Sequence, residues 1–193
     1  MTEREVLALL RQRFSGPYGS IEASRYVFAT HVRSEAGFYA KNEFDAVVVD
    51  TWESKGLTIE IIEVKVSRSD WLNELKKPHK TQAALNRSNL FSIAAPKGVV
   101  KDGELKDGWG FYEVGATGVL RCKQVPKLHT PSSQRRERGS DNLMSPKNWE
   151  SLPRSFVVAL LRAIKRTADN NAHRAQAELT KAQAALPSEA RND

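Results

Sequence analysis

An acid and a lysine stand two residues apart, Glu63 and Lys65, inside the apolar run TIEIIEVKV (58–66). Upstream, Asp45 opens the β-branched run FDAVVVD (44–50). The two-residue period of a strand puts Ile59, Ile61, Glu63 and Lys65 on one face, with Ile62, Val64 and Val66 on the other. Asp45 shares a face with Val47 and Val49. If the two runs pair as a hairpin, Asp45 lies across from Glu63 near one end of the sheet, and two carboxylates and an ammonium converge. That set suits metal-assisted phosphodiester hydrolysis. Carboxylates are hard oxygen ligands for Mg²⁺ that leave positions for water and phosphate oxygens. The ion polarises the phosphoryl group and acidifies a bound water. Lys65 could orient that water or offset charge developing on phosphorus, and the backbone carbonyl of Val64 could add a metal oxygen. Taken alone, an acid-x-lysine pair is more often a cross-strand or solvent-facing pair. Asp45 upstream and a helix start directly downstream shift the balance towards chemistry.

The elements that must position these residues are readable from periodicity. A capping box of Thr2 and Glu5 predicts a first helix over 2–14. Strands are predicted over 26–33, 44–52 and 57–66, the last two joined by the turn ESKG. Residues 67–77 switch to a helical period, with Ser67 or Ser69 as N-cap, Trp71, Leu72 and Leu75 inward, and Pro78 as stop. KTQAALNRS could form a second short helix before the strand NLFSIAAP, and WGFYEV with GVLRCKQV reads as a hairpin. The expected fold is α/β with a central mixed sheet flanked by helices and a C-terminal helical tail. Domain boundaries are expected as a core over 1–126, a polar linker or loop over 127–152, and a tail over 153–193.

The 193 residues suffice for one sizeable core, and 40% apolar with 27% charged residues excludes a disordered chain. No apolar run reaches the roughly 20 residues of a membrane span, and the first residues do not read as a signal peptide. The single Cys122 excludes an internal disulfide and a multi-cysteine zinc site. A cytoplasmic protein is expected, in a bacterium or a phage-infected host. A net charge of +7 leans towards a polyanionic partner, and the basic segment SSQRRERGS (132–140) could track a nucleic-acid backbone.

The pattern FDAVVVD…IIEVKVSRSDWLNELKKPHK resembles the PD-(D/E)xK nuclease superfamily, mapping Asp45 and then Glu63-Val64-Lys65 onto its motif. More closely, EVKVSRSDWLNELKKPHK followed by NLFSIAAPKGVV and GWGFYEV resembles the MmcB-like DNA repair family and its phage-encoded relatives, over roughly residues 26 to 125. The resemblance implies a restriction-endonuclease-like core, Mg²⁺ dependence (Mn²⁺ substituting) and DNA as partner, in repair, recombination or phage DNA processing. It makes Asp45, Glu63 and Lys65 catalytic and Asp45, Glu63 and Val64 the metal ligands. His31 stands where such proteins place an acid, so Glu5, Glu22 or Glu35 could supply a further carboxylate. His31 itself could be a ligand or proton carrier. Ser67 and Arg68 could contact phosphate at the helix start, and Lys80 and Gln82 lie where relatives place a lysine or glutamine. Trp71 reads as core and Asp50 as a turn cap. The alternative reading is a catalytically inactive nuclease-fold protein that binds DNA or serves as an adaptor. The C-terminal helix could serve a protein partner or self-association.

Overall fold

A computed structural model describes residues 1–15, 25–36, 40–76, 78–129 and 152–185. The basic segment 132–140, Glu22 and most of the expected linker lie outside these residues.

Helix α1 (Glu3–Phe14) starts at the Thr2/Glu5 capping box. Strands β1 (Tyr26–Arg33), β2 (Glu43–Asp50) and β3 (Ile59–Val64) follow. Then come α2 (Arg68–Leu75), α3 (Pro78–Leu85), β4 (Leu90–Pro96), β5 (Gly110–Val114), β6 (Leu120–Gln124) and α4 (Arg154–Ala185). Pro78 does more than stop α2. It is the first residue of α3, where its missing N–H costs nothing and its fixed φ favours the helix.

The six strands lie in sequence order, β1 to β6. β1–β2, β2–β3 and β5–β6 are antiparallel, while β3–β4 and β4–β5 are parallel. Parallel neighbours need a crossover, and α2 and α3 supply it between β3 and β4. The α/β architecture with a mixed sheet and a C-terminal helix is therefore as the sequence predicts.

Alternation along β2 and β3 divides the core. Val47, Val49, Ile59 and Ile61 face α2, α3 and α4, packing with Trp71, Phe91, Ile93, Phe156 and Leu160. Ala46, Val48, Ile62 and Val64 face α1, against Val6, Leu7, Leu10 and Phe14. Each fully buried Val, Leu, Ile or Phe among them contributes roughly 1.5–3 kcal/mol. The first turns of α4 belong to this core, for Phe156 is fully buried with its ring 6.2 Å from Phe44.

The same helix covers the outer edge of β1, where an unpaired row of backbone groups would otherwise face water. Arg166 donates to the carbonyls of Thr30 (3.0 Å) and His31 (2.8 Å). At the other edge, β6 presents the exposed charges Arg121 and Lys123.

Candidate functional site

The β2–β3 ladder runs from Val49↔Ile59 to Ala46↔Ile62 and stops there. The next step would set Asp45 across from Glu63, as the hairpin reading requires. Instead of a further backbone bond, the Asp45 Oδ2 accepts the Val64 N–H at 2.7 Å. On the far side, Lys65 donates its backbone N–H to Ala94 at 2.9 Å, so β3 remains tied to β4 through the motif.

Glu63 is 1% exposed and Lys65 5%. Charges are rarely buried so deeply unless they are paired, and here the pairing forms a chain. Lys80 Nζ lies 2.5 Å from Glu63 Oε2, Lys65 Nζ lies 3.4 Å from the same oxygen, and Lys65 Nζ lies 2.9 Å from Glu74 Oε2. Thr81 donates to the other Glu74 oxygen at 3.4 Å. The second Glu63 oxygen, Oε1, is buried with no hydrogen-bond partner. Such an orphan is costly in a native interior and calls for an explanation such as a water or an ion.

Burial, and then the charge of Asp45, push the Glu63 carboxyl up to about 8 against the opposing pull of Lys80 and Lys65. Burial would lower Lys65, but Glu63, Glu74 and Asp45 outweigh it and hold the ammonium above the ordinary lysine value. Lys80 is likewise drawn down by burial and held up by Glu63 and Asp45.

The rim of the site comes from α1 and β1. Glu5 is committed to capping Thr2 at 2.6 Å, so it is not the extra acid. Glu3 is the α1 carboxyl that senses the site. Its pKa is raised by burial and by Asp45, with His31 and Lys65 opposing. His31 Nδ1 stands 3.4 Å from Glu43 and 4.0 Å from Glu3. Its backbone lies in the left-handed region, φ +52, which a residue with a Cβ adopts at a cost of roughly 1–2 kcal/mol. The β1–β2 register passes from Thr30↔Ala46 to Val32↔Phe44 around it. The Arg166 bonds to the Thr30 and His31 carbonyls hold that kink.

The remaining sequence candidates separate. Ser67 is the α2 N-cap, accepting from Asp70 N–H at 3.2 Å. Arg68 is not free to meet a phosphate. It forms a two-pronged pair with Glu104, which also accepts the Trp71 indole N–H at 3.0 Å and the Lys101 N–H at 3.0 Å. Gln82 turns from the site to Asn86, at 2.8 Å, on the rim of a cavity of about 400 Å³ floored by Phe91 and Trp109. Glu35 pairs with Arg87 at 3.3 Å rather than with the central cluster. Asp50 binds Arg25 and accepts the Trp52 N–H at 3.1 Å, the turn cap expected of it. Trp71 is fully buried as core.

Glu74 escaped the sequence reading. The helical period of α2 predicts Trp71, Leu72 and Leu75 inward, yet Leu72 is 39% exposed while Glu74 is buried with Trp71. The three-residue spacing of Trp71 and Glu74 puts them on one helix face; that spacing was the available signal, and the charge on Glu74 masked it.

Among the described residues, no group of three or more His, Cys, Asp or Glu side chains forms a ready metal cage. Asp45, Glu63 and the Val64 carbonyl are the hard oxygens that would hold a Mg²⁺ ion here, an ion that keeps several of its waters. The unpartnered Glu63 Oε1 fits such an ion.

No family model matches the chain, and no curated protein matches it. Among solved structures it is similar to a protein of unknown function from Silicibacter pomeroyi. The two share 16% identity at a TM-score of 0.53, over 89% of this chain and 94% of that one. The likeness carries the fold. Among the described residues no helix is long and apolar enough to cross a membrane.

Proposed function

We propose that the chain is a Mg²⁺-dependent nuclease of PD-(D/E)xK type that hydrolyses DNA phosphodiester bonds in the cytoplasm of a bacterium or phage-infected host. One observation carries the reading. Glu63, a buried carboxyl group with an unpartnered oxygen, is the penultimate residue of β3 and stands beside Asp45 and two lysine ammonium groups. An unpartnered buried carboxylate oxygen is uncommon in a native interior and leaves that oxygen free for a further ligand.

In this reading Asp45, Glu63 and the Val64 carbonyl hold the ion, which when bound polarises the phosphodiester and acidifies water. Lys65 orients the attacking water and offsets charge on the phosphoryl oxygens. Lys80, the more exposed lysine, can exchange Glu63 for a substrate phosphate. The chain's net charge of +7 favours a polyanionic substrate.

The deciding experiment is a Mg²⁺ or Mn²⁺ cleavage assay across linear, nicked, flapped and branched DNA, with Lys65→Ala alongside. Wild type is expected to cleave at least one substrate, and folded Lys65→Ala to cleave none. Retained cleavage by folded Lys65→Ala sinks the assignment.

The burial of Glu63 under Lys80 favours one competing reading, a nuclease-fold DNA-binding or adaptor protein without turnover. DNA binding that needs no metal, with no cleavage of any substrate, would select it.

A further inference from the structure

We propose that Glu74 is the positioning residue for Lys65, the group that holds its ammonium in place for hydrolysis. The inference rests on the nuclease reading and deepens it.

Lys65 follows the last residue of β3, so the strand fixes its Cα but not the four-carbon stem beyond. What fixes Nζ is its partners. Glu74 lies nearer than Glu63, 2.9 Å against 3.4 Å, and Glu63 Oε2 is already shared with Lys80. Glu74 is itself anchored on both sides, by its place on α2 and by the Thr81 hydroxyl of α3. The lysine is thus held by the crossover helices, across from the carboxylates on the strands.

This matters once Glu63 is engaged by a divalent cation. The charge of Glu63 would then be spent on the ion, leaving less of it to hold the Lys65 ammonium. Glu74 is the carboxylate left within hydrogen-bond reach to keep Nζ extended. A lysine has three donors; one stays on Glu74, and two remain for water and a phosphoryl oxygen. Releasing this anchor lets the amine move by an ångström or more, and misplacement on that scale costs on the order of a hundredfold in rate.

Two readouts test the idea. Glu74→Gln keeps the side chain's size and its acceptor for Thr81 while removing the charge. It is expected to lower kcat by about tenfold or more, with KM for DNA within about twofold. In the metal-free protein, an amine-reactive acylating reagent read by mass spectrometry is expected to label Lys65 several-fold faster in this variant than in wild type. Ala163→Gly, a core change on α4, serves as a destabilised control that keeps both values. If Glu74→Gln does not fold, Glu74→Asp carries the same test, since the charge stays while the carboxylate withdraws from Nζ.

Unchanged kcat in a folded variant overturns the inference, as does a wild-type labelling rate at Lys65. A wild type that protects Lys65 yet cleaves nothing with Mg²⁺ or Mn²⁺ overturns the nuclease reading, and the catalytic role of Glu74 with it.

Discussion

Asp45 and Val64 are joined by a side chain-to-backbone hydrogen bond of 2.7 Å, made just past the last Ala46↔Ile62 pair of the β2–β3 ladder. The carboxylate takes the place of a ladder acceptor as the strands part. One residue thus both closes the sheet end and presents a charge to the candidate site. These two roles separate under mutation. Asp45→Asn keeps an acceptor for the Val64 N–H and should stay within about 1 kcal/mol of wild-type stability. Asp45→Ala orphans that buried N–H and should cost about 1–3 kcal/mol in urea unfolding. Both remove the charge that the proposed metal site requires, so both should lose cleavage. Full cleavage by Asp45→Asn would remove Asp45 from the metal site.

On the opposite face of the sheet, Gly110 is fixed by crowding. A Cβ there would stand 2.1 Å from Ser92 Oγ and 2.7 Å from Pro126 Cδ. Ser92 cannot easily yield, since its hydroxyl donates to buried Glu60 at 2.5 Å, beside the Tyr112 hydroxyl at 3.1 Å. Gly110→Ala is therefore expected to destabilise by about 1–3 kcal/mol through overpacking. Urea denaturation checks it, and an unchanged midpoint would show that the β4–β5 contact relaxes freely.

The contrast between legible and hidden features follows from what periodicity encodes. β1 was readable over 26–33 to the residue, and the face shared by Val47 and Val49 followed from the two-residue period. The β2–β3 register was readable because a hairpin with one buried face allows few alternatives. Glu74 was hidden because a hydrophobic pattern assigns charges outward, and only the arrival of Lys65 from another element makes an inward glutamate stable. Arg68 and Gln82 were misdirected for a related reason. Their partners, Glu104 and Asn86, lie in a distant loop and one turn onward, and motif spacing is silent on side-chain direction. Glu5, a sequence candidate for the further carboxylate, is excluded by the capping box. The same Thr2–Glu5 pattern that announced α1 also commits Glu5 to it.

The raised pKa of Glu63 makes a signed prediction about stability. Burial and Asp45 lift its carboxyl to about 8 in the folded state, while an unfolded glutamate titrates near ~4.3. Between these values the folded chain holds a proton that the unfolded chain has released. Stability is thus fully present below the unfolded value and falls as pH rises through the window, by up to about 1.4 kcal/mol per unit. Lys65 and Lys80, both held up, stay charged in either state there and add no slope. Glu3 and Glu60 are also raised and slope the same way, so the informative quantity is the difference between wild type and Glu63→Gln. That variant should show a flatter decline from pH 5 to pH 8. A bound cation competes with the proton for the same carboxylate, so Mg²⁺ should stabilise wild type at pH 8 more than at pH 5. At a hundredfold excess over Kd the gain is ~2.7 kcal/mol, and Glu63→Gln should lack it. Thermal unfolding of both proteins with and without Mg²⁺ reads all of these terms. Equal slopes would show that Glu63 titrates alike in the folded and unfolded chains. A Mg²⁺ gain that survives Glu63→Gln would move the ion elsewhere.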